Sequence, residues 1–64
     1  MDTTEFAKRI IFFKYDDDKF KSDPFQKKYF IKSNGKEIET VGTNNYLNEA
    51  IRSGEEITEE EYNA

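Results

Sequence analysis

Residues 28–41 read Lys28-Tyr29-Phe30-Ile31-Lys32-Ser33-Asn34-Gly35-Lys36-Glu37-Ile38-Glu39-Thr40-Val41, and this stretch decides the fold class. Asn-Gly between two β-rich runs is the strongest short-range hairpin signal, because a type I′ turn requires positive φ at both central residues. A two-residue loop also fixes the register. Ser33 then faces Lys36, Lys32 faces Glu37, Ile31 faces Ile38, Phe30 faces Glu39, Tyr29 faces Thr40 and Lys28 faces Val41. Tyr29, Ile31, Ile38 and Thr40 share one face, which reads as the core side. Lys28, Phe30, Lys32, Glu37, Glu39 and Val41 share the other, where opposite charges meet at about 0.2–1 kcal/mol per pair.

Upstream, Lys8-Arg9-Ile10-Ile11-Phe12-Phe13-Lys14-Tyr15 is rich in β-branched and aromatic residues and reads as a further strand. A helix competes, since Phe6, Ile10 and Phe13 fall at i, i+4, i+7 and Thr3 or Thr4 would cap it. Four consecutive apolar residues suit a central strand or an interface, and strand is the reading adopted. Asp16 to Pro24 is polar, contains the only proline, and reads as a loop. Downstream, Thr43 or Asn44 can cap a helix with Tyr46, Leu47, Ala50 and Ile51 on one stripe, and Gly54 stands where a C′ glycine belongs. Ile57-Thr58-Glu59-Glu60-Glu61-Tyr62 is a complete helix start. Thr58 is its N-cap, Glu61 the reciprocal partner, and Ile57 with Tyr62 the hydrophobic staple. With so little chain after it, this is a single turn pinned by Tyr62 or the beginning of something longer.

The expectation is an α+β domain. Its three-stranded antiparallel sheet spans about 8–15, 25–33 and 36–41, with one helix (44–53) on one face and a final turn at 58–62. Tyr29, Ile31, Ile38, Leu47, Ile51, Ile10 and Phe12 form the predicted core. Sixty-four residues make one small domain, with residues 1–7 expected to be disordered. A chain this size buries only about 60% of its unfolded surface, so stability is marginal. It has neither cysteine nor histidine, so the usual staples of very small domains are missing. Six Phe and four Tyr supply the core instead, each ring burying roughly 150–250 Å². No apolar run approaches the roughly 18–20 residues of a membrane span. The acidic start lacks the basic n-region of a signal peptide, and a cytoplasmic protein is expected.

The missing residue types exclude much chemistry. Without His or Cys there is no Ser-His-Asp or Cys-His set and no zinc site of the usual kind. Gly35, Gly42 and Gly54 serve a turn, a linker and a helix end, so there is no phosphate loop. Asp16-x-Asp18-x-Phe20 puts phenylalanine where a calcium loop needs a third ligand, and Lys21 stands where it needs glycine. A solvated loop explains the aspartates better. No enzyme activity, cofactor or metal is expected.

Charge is the remaining signal. Residues 1–32 carry eight basic side chains against six acidic, a net +2, and residues 33–64 carry two against eight, a net −6. Such sorting points to a charged surface presented to a partner. Glu49, Glu55, Glu56, Glu59, Glu60 and Glu61 are the candidate partner-binding residues. A dense carboxylate surface can imitate a phosphate backbone and occupy a basic, nucleic-acid-handling groove. The alternative is a single-stranded nucleic-acid platform of Lys14, Lys28, Tyr29, Phe30 and Lys32, with rings stacking on bases and lysines on phosphates. Against it stand the net charge of −4 and the core's need for those rings. A second alternative is a homodimer joined through Ile10–Phe13.

The run Arg52-Ser53-Gly54-Glu55-Glu56-Ile57-Thr58-Glu59-Glu60-Glu61-Tyr62 resembles the ending of small accessory proteins from phages and mobile elements of low-GC Gram-positive bacteria. There a Gly-x-x-Ile-Thr-x-x-Glu-Tyr run often closes a short chain. The resemblance implies a bacterial host cytoplasm and a protein that binds and inhibits a host enzyme or defence system, CRISPR nucleases included. It assigns no binding residue.

Overall fold

A computed structural model describes residues 4–64. Its elements are β1 (Ile11–Tyr15), β2 (Asp18–Asp23), β3 (Lys28–Ser33), β4 (Lys36–Thr40), α1 (Asn45–Ser53), β5 (Glu55–Ile57) and α2 (Glu59–Asn63). The fold is α+β with a five-stranded antiparallel sheet in the order β4-β3-β2-β1-β5. The expected three strands are therefore too few. The Asn34-Gly35 hairpin has its predicted register from Tyr29–Thr40 to Ser33–Lys36, with φ of 52° at Asn34 and 80° at Gly35, as a type I′ turn demands.

The largest correction lies at residues 16–24. Only Asp16 and Asp17 form the loop between β1 and β2, with Asp16 at φ 58°; Asp18–Asp23 is the middle strand of the sheet. Its six residues hold one apolar side chain, Phe20, which is completely buried and pairs with Phe13 on one side and Ile31 on the other. Asp23 is buried because it builds the next turn. Its Oδ1 accepts from the main-chain N–H of Phe25 and Gln26 at 2.9 and 3.1 Å, and its Oδ2 accepts from the Gln26 side chain at 3.0 Å. The strand expected at 25–33 begins only at Lys28, after this turn.

Side-chain alternation sorts the sheet into two faces. The row Glu56–Phe13–Phe20–Ile31–Ile38 lies on the α1 side. The rows Glu55–Lys14–Lys19–Lys32–Glu37 and Ile57–Phe12–Lys21–Phe30–Glu39 lie on the other. Ile11, Phe13, Phe20, Leu47 and Ala50 form the core between sheet and α1. Phe13 and Phe20 stack at 5.2 Å, and Tyr46 meets Phe20 edge-on at 5.4 Å.

The predicted core needs adjustment at six of its seven residues. Leu47 is fully buried, while Tyr29, Ile31 and Ile51 pack only at its rim. Ile38, on an edge strand beyond the helix, is 62% exposed. Ile10 and Phe12 are only half-buried, because the register of β1 puts Ile11 and Phe13 under α1 instead; one residue of offset exchanges the faces. Of the leading segment, residues 1–3 lie outside the described residues. Residues 4–9 form a turn that sets Phe6 edge-on to Phe13 at 5.6 Å.

α1 starts where Asn44 Oδ1 accepts from Leu47 N–H at 3.1 Å, satisfying one of the free donors of the first turn. It ends at Gly54, but not in the left-handed conformation expected of a C′ glycine. Gly54 has φ −76° and ψ 179° and donates its N–H to Ala50 O at 2.7 Å. Glycine is required for closeness: a Cβ there would lie 2.4 Å from Ala50 O and 2.7 Å from Lys14 O. That close approach turns the chain straight from α1 into β5 at the sheet edge.

Candidate interaction surfaces

A five-residue helix has almost no stability of its own, so α2 must be held by what it touches. Thr58 Oγ1 accepts from Glu61 N–H at 3.1 Å, the N-cap half of the predicted box, and three glutamates occupy the first turn, where the helix dipole favours them. Tyr62 supplies the anchor. It is 3% exposed, its ring centroid lies 5.1 Å from that of Phe12, and its hydroxyl donates to Glu37 Oε2 at 2.6 Å. Burial first, then this bond to a carboxylate, holds the Tyr62 phenol well above its usual pKa.

Two lysines hold the other end. Lys19 Nζ donates to the main-chain oxygens of Glu61 at 2.6 Å and Ala64 at 3.3 Å. Lys32 Nζ donates to Tyr62 O at 2.8 Å and sits 5.2 Å from the centre of its ring. Lys14, Lys19 and Lys32 are neighbours across three strands, an arrangement that repels unless something negative covers it. The carbonyl end of α2 covers Lys19 and Lys32. α2 thus lies on the face opposite α1, bound to the sheet by one aromatic anchor and two ammonium groups.

The six candidate glutamates do not form one patch. Glu49 stands on α1 and accepts a bond from the Tyr15 hydroxyl at 3.3 Å; its charge is the main cause of a raised Tyr15 pKa. Glu56 faces the α1 side, where Arg9 grips both its oxygens at 3.0 and 3.5 Å, and that bond raises the Arg9 pKa. Glu55, on the other face, lies 4.0 Å from Lys14. Glu59, Glu60 and Glu61 remain together, exposed on the first turn of α2.

The basic-aromatic set also divides. Lys14, Lys28, Phe30 and Lys32 share the α2 face, whereas Tyr29 points to the α1 side, opposite Ser22 and Thr40. Lys32 is engaged with Tyr62, Lys28 lies 3.6 Å from Glu39, and the half-buried Phe30 has the Lys21 ammonium 5.3 Å from its ring centre. The Ile10–Phe13 stretch, offered above as a dimer surface, is central: β2 and β5 flank β1, α1 covers Ile11 and Phe13, and Tyr62 contacts Phe12.

The aspartates have structural work. Asp16 and Asp17 make the β1–β2 loop, and Asp18 Oδ2 accepts from the Tyr46 hydroxyl at 2.6 Å. Burial and this bond raise the Tyr46 pKa. Among the described residues no group of three carboxylates is arranged to hold a metal ion, and no helix is long and apolar enough to cross a membrane. An open cleft of about 370 Å³ borders Phe6, Asp23, Pro24 and Tyr29, but the Asp23 carboxylate there is taken up by its own turn.

One feature escaped the sequence reading. β4 is an open edge on which Glu37 and Glu39 are exposed on one face and Ile38 on the other. The alternation Glu-Ile-Glu was its signal, but without the strand order it reads as an ordinary half-buried strand. Compared with known proteins, the chain matches no protein family, no curated protein and no solved structure.

Proposed function

We propose that this is a non-enzymatic binding protein that docks its acidic helix on a basic surface of another protein. The observation that carries this reading is the mounting of α2. A helix too short to persist alone is fixed by Tyr62, Lys19 and Lys32, and its exposed first turn carries Glu59, Glu60 and Glu61. A helix backbone already held in place adds little ordering cost on binding, and its carboxylates steer encounter with a positive surface. A nucleic-acid-handling protein offers such a surface, and the phage-like tail extends the proposal to inhibition of a host nuclease of the CRISPR kind.

Glu59 and Glu60 are the residues to reverse, since Glu56 is committed to Arg9. The tagged chain and its Glu59→Lys, Glu60→Lys variant would be used to capture proteins from nuclease-treated Gram-positive lysate. A stoichiometric partner held at low salt by the parent and lost by the variant is expected. A partner retained equally by both would overturn the assignment to α2.

The second reading, single-stranded nucleic-acid binding, is favoured by one observation: Lys14, Lys28, Phe30 and Lys32 gather on one face. It predicts oligonucleotide binding that weakens steeply with salt, and absence of binding at low ionic strength would end it.

A further inference from the structure

The open edge of β4 is chemically marked on both faces. The two-residue loop makes Ser33–Lys36 the closing hydrogen-bonded pair, so alternation directs the main-chain groups of Lys36, Ile38 and Thr40 toward β3. Those of Glu37 and Glu39 point outward, with no strand among the described residues beyond them. These outward groups are a template for another strand. On the α2 face their side chains are carboxylates, which stay exposed although Glu37 accepts from the Tyr62 hydroxyl and Glu39 lies 3.6 Å from Lys28. On the α1 face Ile38 is 62% exposed, continuing the apolar row Phe13–Phe20–Ile31 past the reach of the helix.

We infer that β4 accepts an extended segment of another protein in which basic and apolar residues alternate. An incoming strand must place residues of its own opposite Glu37, Ile38 and Glu39. Lysine or arginine beside each glutamate and an apolar side chain beside Ile38 would satisfy all three positions. β3 already illustrates the pairing from the inner side, with Lys32 opposite Glu37 and Ile31 opposite Ile38. A second copy of the chain is the wrong occupant. Antiparallel self-pairing centred on Glu37, Ile38 or Glu39 sets glutamate against glutamate, and like charges directly opposite are destabilising. This surface is separate from the exposed glutamates of α2, so the inference does not depend on the reading above.

The probe is a capped nine-residue peptide of alternating lysine and valine, with its glutamate–valine counterpart as control. Titration into the isotope-labelled chain is followed by amide chemical shift and hydrogen exchange. Expected are slowed exchange at the Glu37 and Glu39 amides and no response to the control. Glu39→Pro removes an outward-facing N–H, which edge strands tolerate, and should weaken the complex at least about tenfold. Glu39→Lys keeps the backbone and should shift preference toward the glutamate peptide, which keeps the test decisive if the proline variant does not fold. Three results would overturn the inference. One is unaltered Glu37 and Glu39 amides at millimolar peptide. Another is binding lost on reversal of Glu59 and Glu60 but kept by Glu39→Pro, which would assign the peptide to α2. The last is protection of those amides by self-association without peptide.

Discussion

Replacing Tyr62 tests the physical basis of the candidate site, because α2 has no other apolar anchor on the sheet. Large aromatic-to-alanine changes in cores cost about 3–5 kcal/mol. Tyr62 is buried under only one short helix, so Tyr62→Ala should cost about 2–4 kcal/mol. For 64 residues, total stability at 0.05–0.15 kcal/mol per residue is about 3–10 kcal/mol. The substitution therefore removes a large share of the total. Tyr62→Phe isolates the hydroxyl. A bond to a charged acceptor contributes about 1.5–3 kcal/mol, but Glu37 is exposed and regains water when the bond is lost, which reduces the loss to about 1 kcal/mol. In a domain this size that lowers Tm by about 4–8 °C. Urea unfolding followed by circular dichroism, with a double-mutant cycle pairing Tyr62→Phe and Glu37→Gln, provides the assay. A coupling of about 0.5–1 kcal/mol is expected. Strict additivity, or a Tyr62→Ala chain as stable as the parent, would refute the claim that this contact holds α2.

Two further outcomes follow from the same structure. Tyr46 and Tyr62 have raised phenol pKa values, so above about pH 10 the unfolded chain has released protons that the folded chain still holds. Their stabilising contribution is complete below that pH and declines progressively above it, until the folded-state phenols also ionise; urea midpoints should fall from pH 9 to 11, and Tyr46→Phe with Tyr62→Phe should flatten that slope. Gly54→Ala should destabilise by about 1–3 kcal/mol, as overpacking does. Its backbone angles are ordinary, so a neutral or stabilising result in thermal unfolding would show that the contacts of 2.4 and 2.7 Å with Ala50 O and Lys14 O relax freely.

The hairpin was legible because Asn34-Gly35 is a local instruction: the φ requirement and the loop length act within four residues. α1 was legible for the same reason, from the Asn44 cap and the apolar stripe. β2 was hidden because a strand in the middle of a sheet normally reads as strongly apolar, and this one carries Asp18, Lys19, Lys21, Ser22 and Asp23. Three of its polar residues have partners on other elements, Tyr46 for Asp18, α2 for Lys19 and Phe30 for Lys21, while Asp23 builds the turn that follows. Tyr46 and α2 lie beyond any local sequence window, and Phe30, though only nine residues from Lys21, meets it only once β2 and β3 have paired. β5 was hidden by its length. Three residues carry no period, and only the close approach at Gly54 forces the chain against β1.

Charge was read least well, and the reason bears on function. The basic first half and acidic second half look in sequence like a molecule divided for a partner. In the fold much of that division is consumed within the chain. Arg9 meets Glu56, Lys14 meets Glu55, and Lys28 meets Glu39, while Lys19 and Lys32 close the carbonyl end of α2. Every one of these contacts joins the two halves. Exposed ion pairs contribute at most about 1 kcal/mol each, whereas the Lys19 and Lys32 bonds to main-chain oxygens help to settle which face α2 covers. Lysines that would have met phosphates are then committed, which weighs against the nucleic-acid platform. Among the described residues, what the fold leaves exposed on α2 is negative, Glu59, Glu60 and Glu61, while the exposed carboxylates along the open strand already have contacts, Glu37 with Tyr62 and Glu39 with Lys28. An excess left after internal pairing is better grounds for expecting a basic partner than the raw asymmetry was, because the chain has already drawn on its own cations.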